Sequence, residues 1–396
     1  MRETLPLAIG RAAGRTTTTL AARARETVRR PVARTASDVP IDAAAITPEW
    51  LTAVLCARHA GTRVRSVSTT AATTQTTSRA ALRLAYEGPA ADELPTALFV
   101  KLTPDLRQRL FLGLIRIIDG EPEFYARLRP LADFECPLGY HGAHDRRSWA
   151  SAVLIEDIAA TRGASFCHAT TDVDRPMIES LLETMAAYHG AYWQLPAVTD
   201  STLKRPSDHL HNTSVFLNMR RQCLIGIERA GALAPSGFAE RDAALWEGLQ
   251  RSMATCSDAT GPTTLLHGDP HVGNAYRTAD GRMALTDWQV VMRGLWAYDV
   301  ADALVSALAV DDRRAWEREL LEHYLEHLAR AGGQPPELER AWRLYRQCLL
   351  YPLYCWGTVL GAPSWMPETH PPDVAATIVG RAATAIDDLG SLATFR

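Results

Sequence analysis

Apolar and polar residues alternate along the first half of the chain in short runs that predict β-strands. Val64 to Ser68 and Ala81 to Tyr86 alternate, and Ala97 to Lys101 is a short apolar run that ends in lysine. Further strand candidates lie near Gly139 and at Ala152 to Ile155. Linkers rich in threonine, glycine and proline separate the runs, as turns separate strands. The pattern predicts an antiparallel sheet.

The period changes to that of helices in the second half. Met177, Leu181 and Met185 recur at four-residue spacing, which places them on one face of a helix. The region 205–255 and the remainder of the chain after 300 are also mostly helical. Between them, the stretch 262–290 is irregular and rich in His, Gly, Asp, Pro and Asn. The chain therefore has the pattern of an α+β protein.

A chain of 396 residues is too long for one small core and suits two lobes. We predict a β-rich N-terminal lobe over 41–155 and a mostly helical C-terminal lobe over 156–396. Residues 1–40 are basic and poor in acids, which favours a poorly ordered or loosely docked arm. A transit peptide has a similar composition.

Charge and cysteine usage exclude several classes of protein. A net charge of −3 gives no reason to expect a nucleic-acid partner. No apolar run is long enough for stable insertion into a membrane. The seven cysteines are an odd number without a CxxC pair, so we expect neither a disulfide framework nor a zinc site. The expected setting is a reducing cytoplasm.

The densest polar cluster combines the residue types that bind a hard metal ion. His267 to Asn274 contains Asp269 and forms a glycine- and proline-bearing loop after a short apolar run, and a second aspartate follows at Asp287. Carboxylate and amide oxygens suit Mg²⁺. Phosphoryl transfer needs metal ions on the phosphates, a positive charge and a group that orients the attacking hydroxyl. The cluster supplies the first and the last of these.

Lys101 is the candidate for the positive charge. Only two of the 42 Lys and Arg residues are lysine, Lys101 and Lys204, and the first stands at the end of a predicted strand. Glu121 follows 20 residues later, at the start of a predicted helix, where its carboxylate could pair with the lysine. Another reading makes His267 and His271 ligands of a metal-dependent hydrolase.

Several motifs together resemble the aminoglycoside phosphotransferase and choline kinase superfamily, and most closely its ecdysteroid-kinase-like branch. The resemblance covers about residues 60–305 and implies a bilobal, protein-kinase-like fold. The matching stretches, in order, are Phe99-Val100-Lys101, Glu121 to Tyr125, Val153 to Ile158, Tyr188 to Trp193, His267 to Asn274, Thr286-Asp287-Trp288 and Tyr298 to Ala301. Each piece is weak alone, but the ordered set is specific.

The resemblance implies a role for each matching residue. Asp269 would be the catalytic base, and Asn274 and Asp287 would hold Mg²⁺. Lys101 would contact the phosphates of ATP, and Glu121 would orient that lysine. The remaining implied roles are adenine binding by the backbone of Glu156 and Ile158, phosphate contacts from Thr76 and Thr77, and support of the loop by His267, His271 and Asp299.

Two stretches depart from the pattern of the superfamily. The turn that covers the phosphates, 73–78, consists of threonine, glutamine and serine without glycine, and β-branched residues rarely adopt left-handed backbone angles. Pro122 directly follows Glu121, which puts that glutamate at the helix start and makes Glu123 the reserve partner for the lysine.

The function we expect is ATP- and Mg²⁺-dependent transfer of a phosphoryl group to a hydroxyl of a small molecule. The aromatic stretch Tyr345 to Trp365, and the lack of a strongly acidic wall, favour an amphiphilic metabolite or natural product, such as an antibiotic, over an aminoglycoside. A nucleotide-binding pseudokinase or scaffold is the alternative, and a protein kinase is a lesser one. His323 and His327 share a helix face that we interpret as solvated surface.

Overall fold

The computed structural model describes residues 5–74, 77–258, 261–364, 366 and 369–395, with only the backbone described for 5–13 and 70–74. Thr76 and Trp365, both singled out in the sequence, lie outside this part. The chain divides into two compact units. Unit 1 comprises Met1–Leu131 and Pro137–Ala164, and unit 2 comprises Ala132–Cys136 and Ser165–Arg396.

Unit 1 is built on a five-stranded antiparallel sheet with strand order β1-β2-β3-β5-β4. The strands are β1 (Arg63–Thr74), β2 (Ser78–Glu87), β3 (Ala97–Leu102), β4 (Gly139–His144) and β5 (Ser151–Glu156). The predicted alternating runs and strand candidates all fall within these elements. The apolar run of β3 occupies the centre of the sheet, where Lys101 lies opposite Val153 of β5.

The helices of unit 1 are α1 (Leu5–Arg29), α2 (Pro48–Leu55), α3 (Leu106–Leu114), α4 (Gly120–Glu123) with a π turn at Phe124–Leu128, and α5 (Ile158–Arg162). Helix α2 begins with residues that favour a helix start. The Thr47 hydroxyl accepts a hydrogen bond from the Trp50 backbone N–H, and proline fills the first helical position. Trp50 and Leu51 are fully buried in the core beneath the sheet.

The N-terminal arm, which we expect to be poorly ordered or loosely docked, contains a helix that contacts the rest of unit 1. Helix α1 forms there, and its Glu26 carboxylate accepts two hydrogen bonds from the guanidinium of Arg109, at 3.0 and 2.8 Å. Arg109 is fully buried and also donates to the carbonyl of Thr103 at 2.6 Å. A buried guanidinium needs an anionic partner, and one of the few acids of the arm provides it. The arm is therefore part of unit 1.

The boundary between the units also differs from the predicted one. The stretch 156–164, which we placed in the C-terminal lobe, belongs to unit 1. It continues β5 into α5, and Asp157 accepts hydrogen bonds at its start from the backbone of Ala160 and from Arg83 of β2, at 3.3 and 2.8 Å. These contacts with the sheet explain why this stretch folds with unit 1.

Unit 2 is mostly helical, as its sequence period predicts, so the α+β class is confirmed. Its helices are α6 (Arg175–Ala191), α7 (Pro196–Thr199), α8 (Pro206–Leu217), α9 (Met219–Ala230), α10 (Asp242–Cys256), α11 (Ala297–Ala307), α12 (Val310–Arg330), α13 (Leu338–Cys348), α14 (Leu350–Leu360) and α15 (Pro372–Asp388). Every residue of α11 is buried, which makes it the central helix. Within the described residues, no helix combines the length and apolar character needed to cross a bilayer.

Short strands flank and interrupt the irregular stretch 262–290 of unit 2. They are β6 (Ser165–Phe166), β7 (Thr264–Leu266), β8 (Ala275–Arg277), β9 (Met283–Leu285) and β10 (Met292–Gly294). Strands β6, β8 and β9 form one antiparallel sheet, and β7 pairs with β10. The loop 267–274 connects β7 to β8, so both of its ends are fixed by paired strands.

Candidate active site

The loop 267–274 turns sharply after the fully buried strand β7. Gly268 has a left-handed φ of +84°, and a β-carbon at this position would lie 2.4 Å from the carbonyl oxygen of Val290. Only glycine fits such an approach of two backbone segments. The turn is therefore specified by the sequence, and it brings Asp269 to the surface of unit 2.

Asp299, on the buried helix α11, holds this turn in place. Its carboxylate accepts hydrogen bonds from the backbone N–H groups of His267 and Gly268 at 2.7 and 3.0 Å, and from the Tyr188 hydroxyl at 2.9 Å. His189 lies 3.3 Å away through Nε2. Burial alone would raise the pKa of Asp299, but the hydrogen bond and charge of His189, with further help from the loop, lower it below the ordinary value.

Both ring nitrogens of His267 form hydrogen bonds, one within the loop and one to Thr286, which follows β9. Nδ1 accepts the backbone N–H of Asp269 at 3.3 Å, so Nε2 carries the proton that it donates to the Thr286 carbonyl at 3.0 Å. Burial lowers the pKa of His267, which keeps the ring neutral. Because both nitrogens are engaged, His267 is not available as a metal ligand, which counts against the hydrolase reading.

Asp269 and Asn274 form a hydrogen-bonded pair within the loop. The Asn274 Nδ2 group donates to the backbone carbonyl of Asp269 at 2.8 Å and to its carboxylate at 3.2 Å. The Asp269 side chain keeps 32% of its surface exposed, so a substrate can reach it. Burial of the surrounding loop nevertheless raises the pKa of Asp269 above its ordinary value. A higher pKa makes a carboxylate a stronger base.

Asp287 lies at the same end of the β8–β9 pair as Asn274. Ala275 pairs with Leu285, and the Thr286 N–H donates to the Asn274 carbonyl at 2.8 Å, so the two segments stay in register. Asp287 has a left-handed φ of +66°, unusual for a residue other than glycine. Its negative charge contributes to the raised pKa of Asp269.

The oxygen atoms at this end of unit 2 fit a magnesium ion. Asn274 uses its nitrogen as a donor to Asp269, which leaves its Oδ1 as a ligand, and Asp287 provides a carboxylate. Mg²⁺ takes one or two such protein oxygens and completes its shell with water and phosphate oxygens. The donor set therefore suits a nucleotide-bound Mg²⁺.

Neutral rings lie beside the Asp269 carboxylate. His271 Nε2 is 3.7 Å from Asp269 Oδ2, and the His271 ring lies 5.1 Å from the Trp356 ring and 5.3 Å from the His370 ring, measured between centroids. Burial lowers the pKa of both histidines to about 4. The sequence analysis missed His370, because it stands in a proline-rich connection about 100 residues from the loop, without a local motif.

The predicted lysine–glutamate pair forms in unit 1. Lys101 Nζ lies 2.5 Å from Glu121 Oε2, and the two side chains are only 6% and 4% exposed. The reserve partner, Glu123, instead pairs with Arg127 at 3.2 Å on the surface. The contact predicted between β3 and α4 is therefore present, and Glu121 is the partner.

The other residues predicted to contact the nucleotide differ in whether their polar groups are free to do so. The Glu156 N–H donates to the Leu138 carbonyl at 2.9 Å and is therefore not available to a base. Ile158 is the first residue of α5, and an N–H at that position has no intrahelical acceptor. Thr77 is buried, and its hydroxyl has no hydrogen-bond partner among the described residues.

A second buried acid, Asp302, lies one turn beyond Asp299 on α11. It is fully buried, and neither carboxylate oxygen has a hydrogen-bond partner among the described residues. Burial, followed by the charges of Asp269 and Asp299, raises the pKa of Asp302 well above its ordinary value. The ionised form is therefore unfavourable in the folded state.

We expect Asp302→Asn to stabilise the protein in a pH-dependent way. A raised folded-state pKa means that wild type loses stability as the pH rises through that value, whereas the asparagine has no charge to bury. Urea unfolding should show a gain of about 1 kcal/mol at pH 8 and a smaller gain at pH 5. An equal effect at both pH values would contradict the assignment of a titrating Asp302.

The braced loop of unit 2 and the buried lysine–glutamate pair of unit 1 are features that the sequence resemblance led us to expect. The chain belongs to the phosphotransferase enzyme family, whose sequence profile matches residues 106–346, more than half of the 396 residues. The resemblance seen in the sequence is thereby confirmed at family level, and the ecdysteroid-kinase-like branch stays a prediction. No curated protein matches the chain.

Three solved structures with a similar backbone course are distant from this chain in sequence. An ethanolamine kinase from Plasmodium vivax is 13% identical, with 81% of each chain covered and a TM-score of 0.42. A macrolide 2'-phosphotransferase from Brachybacterium faecium is 18% identical, covering 83% of this chain and 98% of its own, with a TM-score of 0.42. A choline/ethanolamine kinase family protein from Mesorhizobium loti is 16% identical, covering 83% and 92%, with a TM-score of 0.47.

Proposed function

We propose that this protein is an ATP- and Mg²⁺-dependent kinase that phosphorylates a hydroxyl group of a small amphiphilic molecule. The observation that carries the proposal is the Asp269–Asn274 pair, held by the hydrogen bonds of Asp299 to the loop backbone. Family membership supports phosphotransfer, and the residues of both units support the finer assignment of nucleotide and metal.

Each residue has a task that its contacts support. Asp269 accepts a hydrogen bond from the acceptor hydroxyl and takes its proton as the oxygen attacks. Asn274 orients Asp269 through Nδ2 and, together with Asp287, would hold Mg²⁺. Bound Mg²⁺ supplies neutralisation of the phosphate charge. Lys101 contributes a fixed positive charge for the phosphates, because Glu121 restricts its ammonium group to one position.

The nature of the acceptor follows from what surrounds Asp269. The partly exposed His370 ring packs on the buried rings of Trp356 and His271, and the three rings form an uncharged aromatic wall beside Asp269. Such a wall favours a ligand with an apolar body and a hydroxyl group over a polycation, which requires carboxylates. We therefore propose an amphiphilic metabolite or natural product as the substrate class.

The test is a search for acceptors with purified protein, ATP and Mg²⁺. A panel should contain apolar alcohols, macrolides, aminoglycosides and choline-type amines, with ADP release and a phosphate mass increase of the acceptor measured together. We expect transfer to a neutral or weakly charged apolar alcohol. Nucleotide binding without transfer to any hydroxyl would support a pseudokinase instead, and transfer only to polycations would contradict the substrate class.

The role of Lys101 is testable with an unusually well matched control. We expect Lys101→Met to lower kcat/KM for ATP about 100-fold, since a preorganised charge on the phosphates is lost. The single change leaves Glu121 buried without its lysine, which costs about 3–5 kcal/mol of stability. The double variant Lys101→Met with Glu121→Gln removes both charges and should recover stability but not activity.

Lys204→Met is the control, because Lys204 is the only other lysine of the chain and lies in the other unit. It should retain wild-type kcat/KM. Equal losses in the Lys101 and Lys204 variants would show that the effect is not specific to the pair with Glu121.

A further inference from the structure

Two imidazoles and one carboxylate come together on unit 2, where helices α6 and α12 pack. His323 and His327 stand on successive turns of α12, and Glu183 reaches them from α6. One ligand atom from each residue lies within 4.8 Å of the other two. The sequence pairs the two histidines on a helix face, but only the fold adds Glu183. We call these three residues the Glu-His-His cluster.

The distances within the Glu-His-His cluster are close to those around a bound ion. Glu183 Oε1 is 3.3 Å from His323 Nε2 and 3.7 Å from His327 Nε2. Bonds of about 2.0–2.1 Å to a tetrahedral ion place neighbouring ligand atoms about 3.3 Å apart. The side chains are 25%, 26% and 48% exposed for His323, His327 and Glu183, so small rotations can close the remaining difference.

The orientation of the imidazole rings leaves the Nε2 atoms of both histidines facing Glu183. His327 Nδ1 lies 2.9 Å from the His323 carbonyl, and as a donor to it leaves the lone pair on Nε2. His323 Nε2 makes no hydrogen bond to any described residue, although the Glu183 oxygen is only 3.3 Å away. The His323 nitrogen and the Glu183 oxygen are therefore close together without a hydrogen bond between them, as two ligands of one metal ion are.

We propose that the Glu-His-His cluster binds a divalent transition-metal ion of the Zn²⁺ type. Two imidazoles with one carboxylate suit zinc, cobalt and nickel, whereas Mg²⁺ and Ca²⁺ prefer oxygen ligands alone. Three protein ligands leave a fourth position for water. Arg330 Nη1 forms a hydrogen bond of 3.4 Å with His327 Nε2, and its Nη2 pairs with Glu326 at 3.2 Å. An incoming ion displaces only the first of these contacts, because the exposed Arg330 side chain keeps its ion pair with Glu326.

An ion at this position would link α6 to α12 close to the residues that hold Asp299, which in turn holds the loop 267–274. Tyr188 and His189 of α6 bind Asp299, and His189 Nδ1 lies 2.8 Å from the hydroxyl of Tyr324 on α12. His323 precedes Tyr324 in the chain. The ion therefore acts as a structural brace that stabilises the folded state by binding it preferentially.

The experiment is a metal titration of the full chain, freed of metal with a chelator and kept in excess Mg²⁺ so that the oxygen ligands near Asp287 are saturated. Zn²⁺ is followed by calorimetry, and Co²⁺ by its visible absorption, which reports imidazole ligands and coordination geometry. We expect one ion per chain with a Kd below about 10 µM. Saturation should raise Tm by a few degrees.

Variants on both helices decide whether the ion occupies the proposed place. His323→Asn, His327→Asn and Glu183→Gln should each weaken binding at least tenfold. His211→Asn replaces an exposed histidine on a different helix, α8, and should bind as wild type does. Circular dichroism and Tm, both measured in chelator, verify that each variant is folded. Weaker binding in the α6 variant and in both α12 variants would show that the ion contacts both helices.

Two results would overturn the proposal. One is the absence of Zn²⁺ and Co²⁺ binding to folded wild type in this range. The other is binding that survives all three substitutions, which would place the ion at another site, such as the thiols. Neither result depends on phosphotransfer, so the kinase assignment is tested separately.

Discussion

Replacing Asp269 by asparagine will lower kcat for phosphoryl transfer about 1,000-fold while leaving the protein at least as stable as wild type. Asparagine keeps an oxygen for the Asn274 Nδ2 group, and the bond from Asn274 to the backbone carbonyl of residue 269 is unaffected. The base, however, is lost. Steady-state kinetics with the best acceptor and urea unfolding measure the two effects.

The stability half of this expectation comes from the raised pKa of Asp269. A carboxylate whose pKa is higher in the folded than in the unfolded state costs stability once the pH exceeds its ordinary value of 3.8, and the cost is complete above the folded-state pKa. The Asp269→Asn variant lacks this cost. A residue that supports function at the expense of stability is typical of active sites.

The pH profile of wild type provides an independent measurement. Transfer requires the ionised base, so kcat/KM for the acceptor should fall tenfold per pH unit below the folded-state pKa of Asp269, on a limb shifted above the ordinary aspartate value. Asp280→Asn, in the exposed turn between β8 and β9, should leave both rate and profile unchanged. A variant of Asp269 that retains the acidic limb and most of the rate would show that another group is the base.

Local sequence patterns predicted the parts of the site that are local in the chain. The loop 267–274 is specified by Gly268 and by the strands on either side, all within a few residues. The lysine–glutamate pair was also predictable, because β3 and α4 are short, strongly patterned and close in sequence. These features depend on backbone geometry that nearby residues determine.

The parts that were missed depend on contacts between residues far apart in the chain. Arg109 finds Glu26 across 83 residues, and Glu183 meets His323 only after α6 and α12 have packed. Periodicity shows that a helix has an apolar face but not which helix covers it. The ordered arm, the ring of His370 and the Glu-His-His cluster therefore required the tertiary structure.

The second large effect concerns Asp299, which touches no substrate in our assignment. We expect Asp299→Ala to lower the free energy of unfolding by about 3–5 kcal/mol. The carboxylate is fully buried and accepts from the N–H groups of His267 and Gly268 and from the Tyr188 hydroxyl. Alanine leaves these donors buried without an acceptor, so the loop loses its anchor and transfer should fall by about the same 1,000-fold as in the Asp269 variant.

Measurements of stability and activity distinguish the role of Asp299 from that of Asp269. The Asp299 variant should lose both, and the Asp269 variant only activity, although the residues belong to one loop assembly. Tyr188→Phe removes one donor without opening a cavity and should cost about 1 kcal/mol with partial loss of rate, which keeps the test meaningful if the alanine variant does not fold. Asp311→Asn, 95% exposed at the start of α12, is the control and should match wild type.

The pH dependence of stability distinguishes an anchoring carboxylate from a merely buried one. The pKa of Asp299 is lowered, so its contribution is present above its ordinary pKa and is lost as the pH falls through the lower folded-state value. The deficit of Asp299→Ala should therefore be full at pH 7 and shrink only in strong acid, opposite in sign to the gain of Asp302→Asn. The hydrogen bonds that Asp299 accepts and Asp302 lacks should set the opposite pKa shifts of these two residues. If Asp299→Ala and Asp302→Asn changed stability in the same direction, this explanation would be wrong.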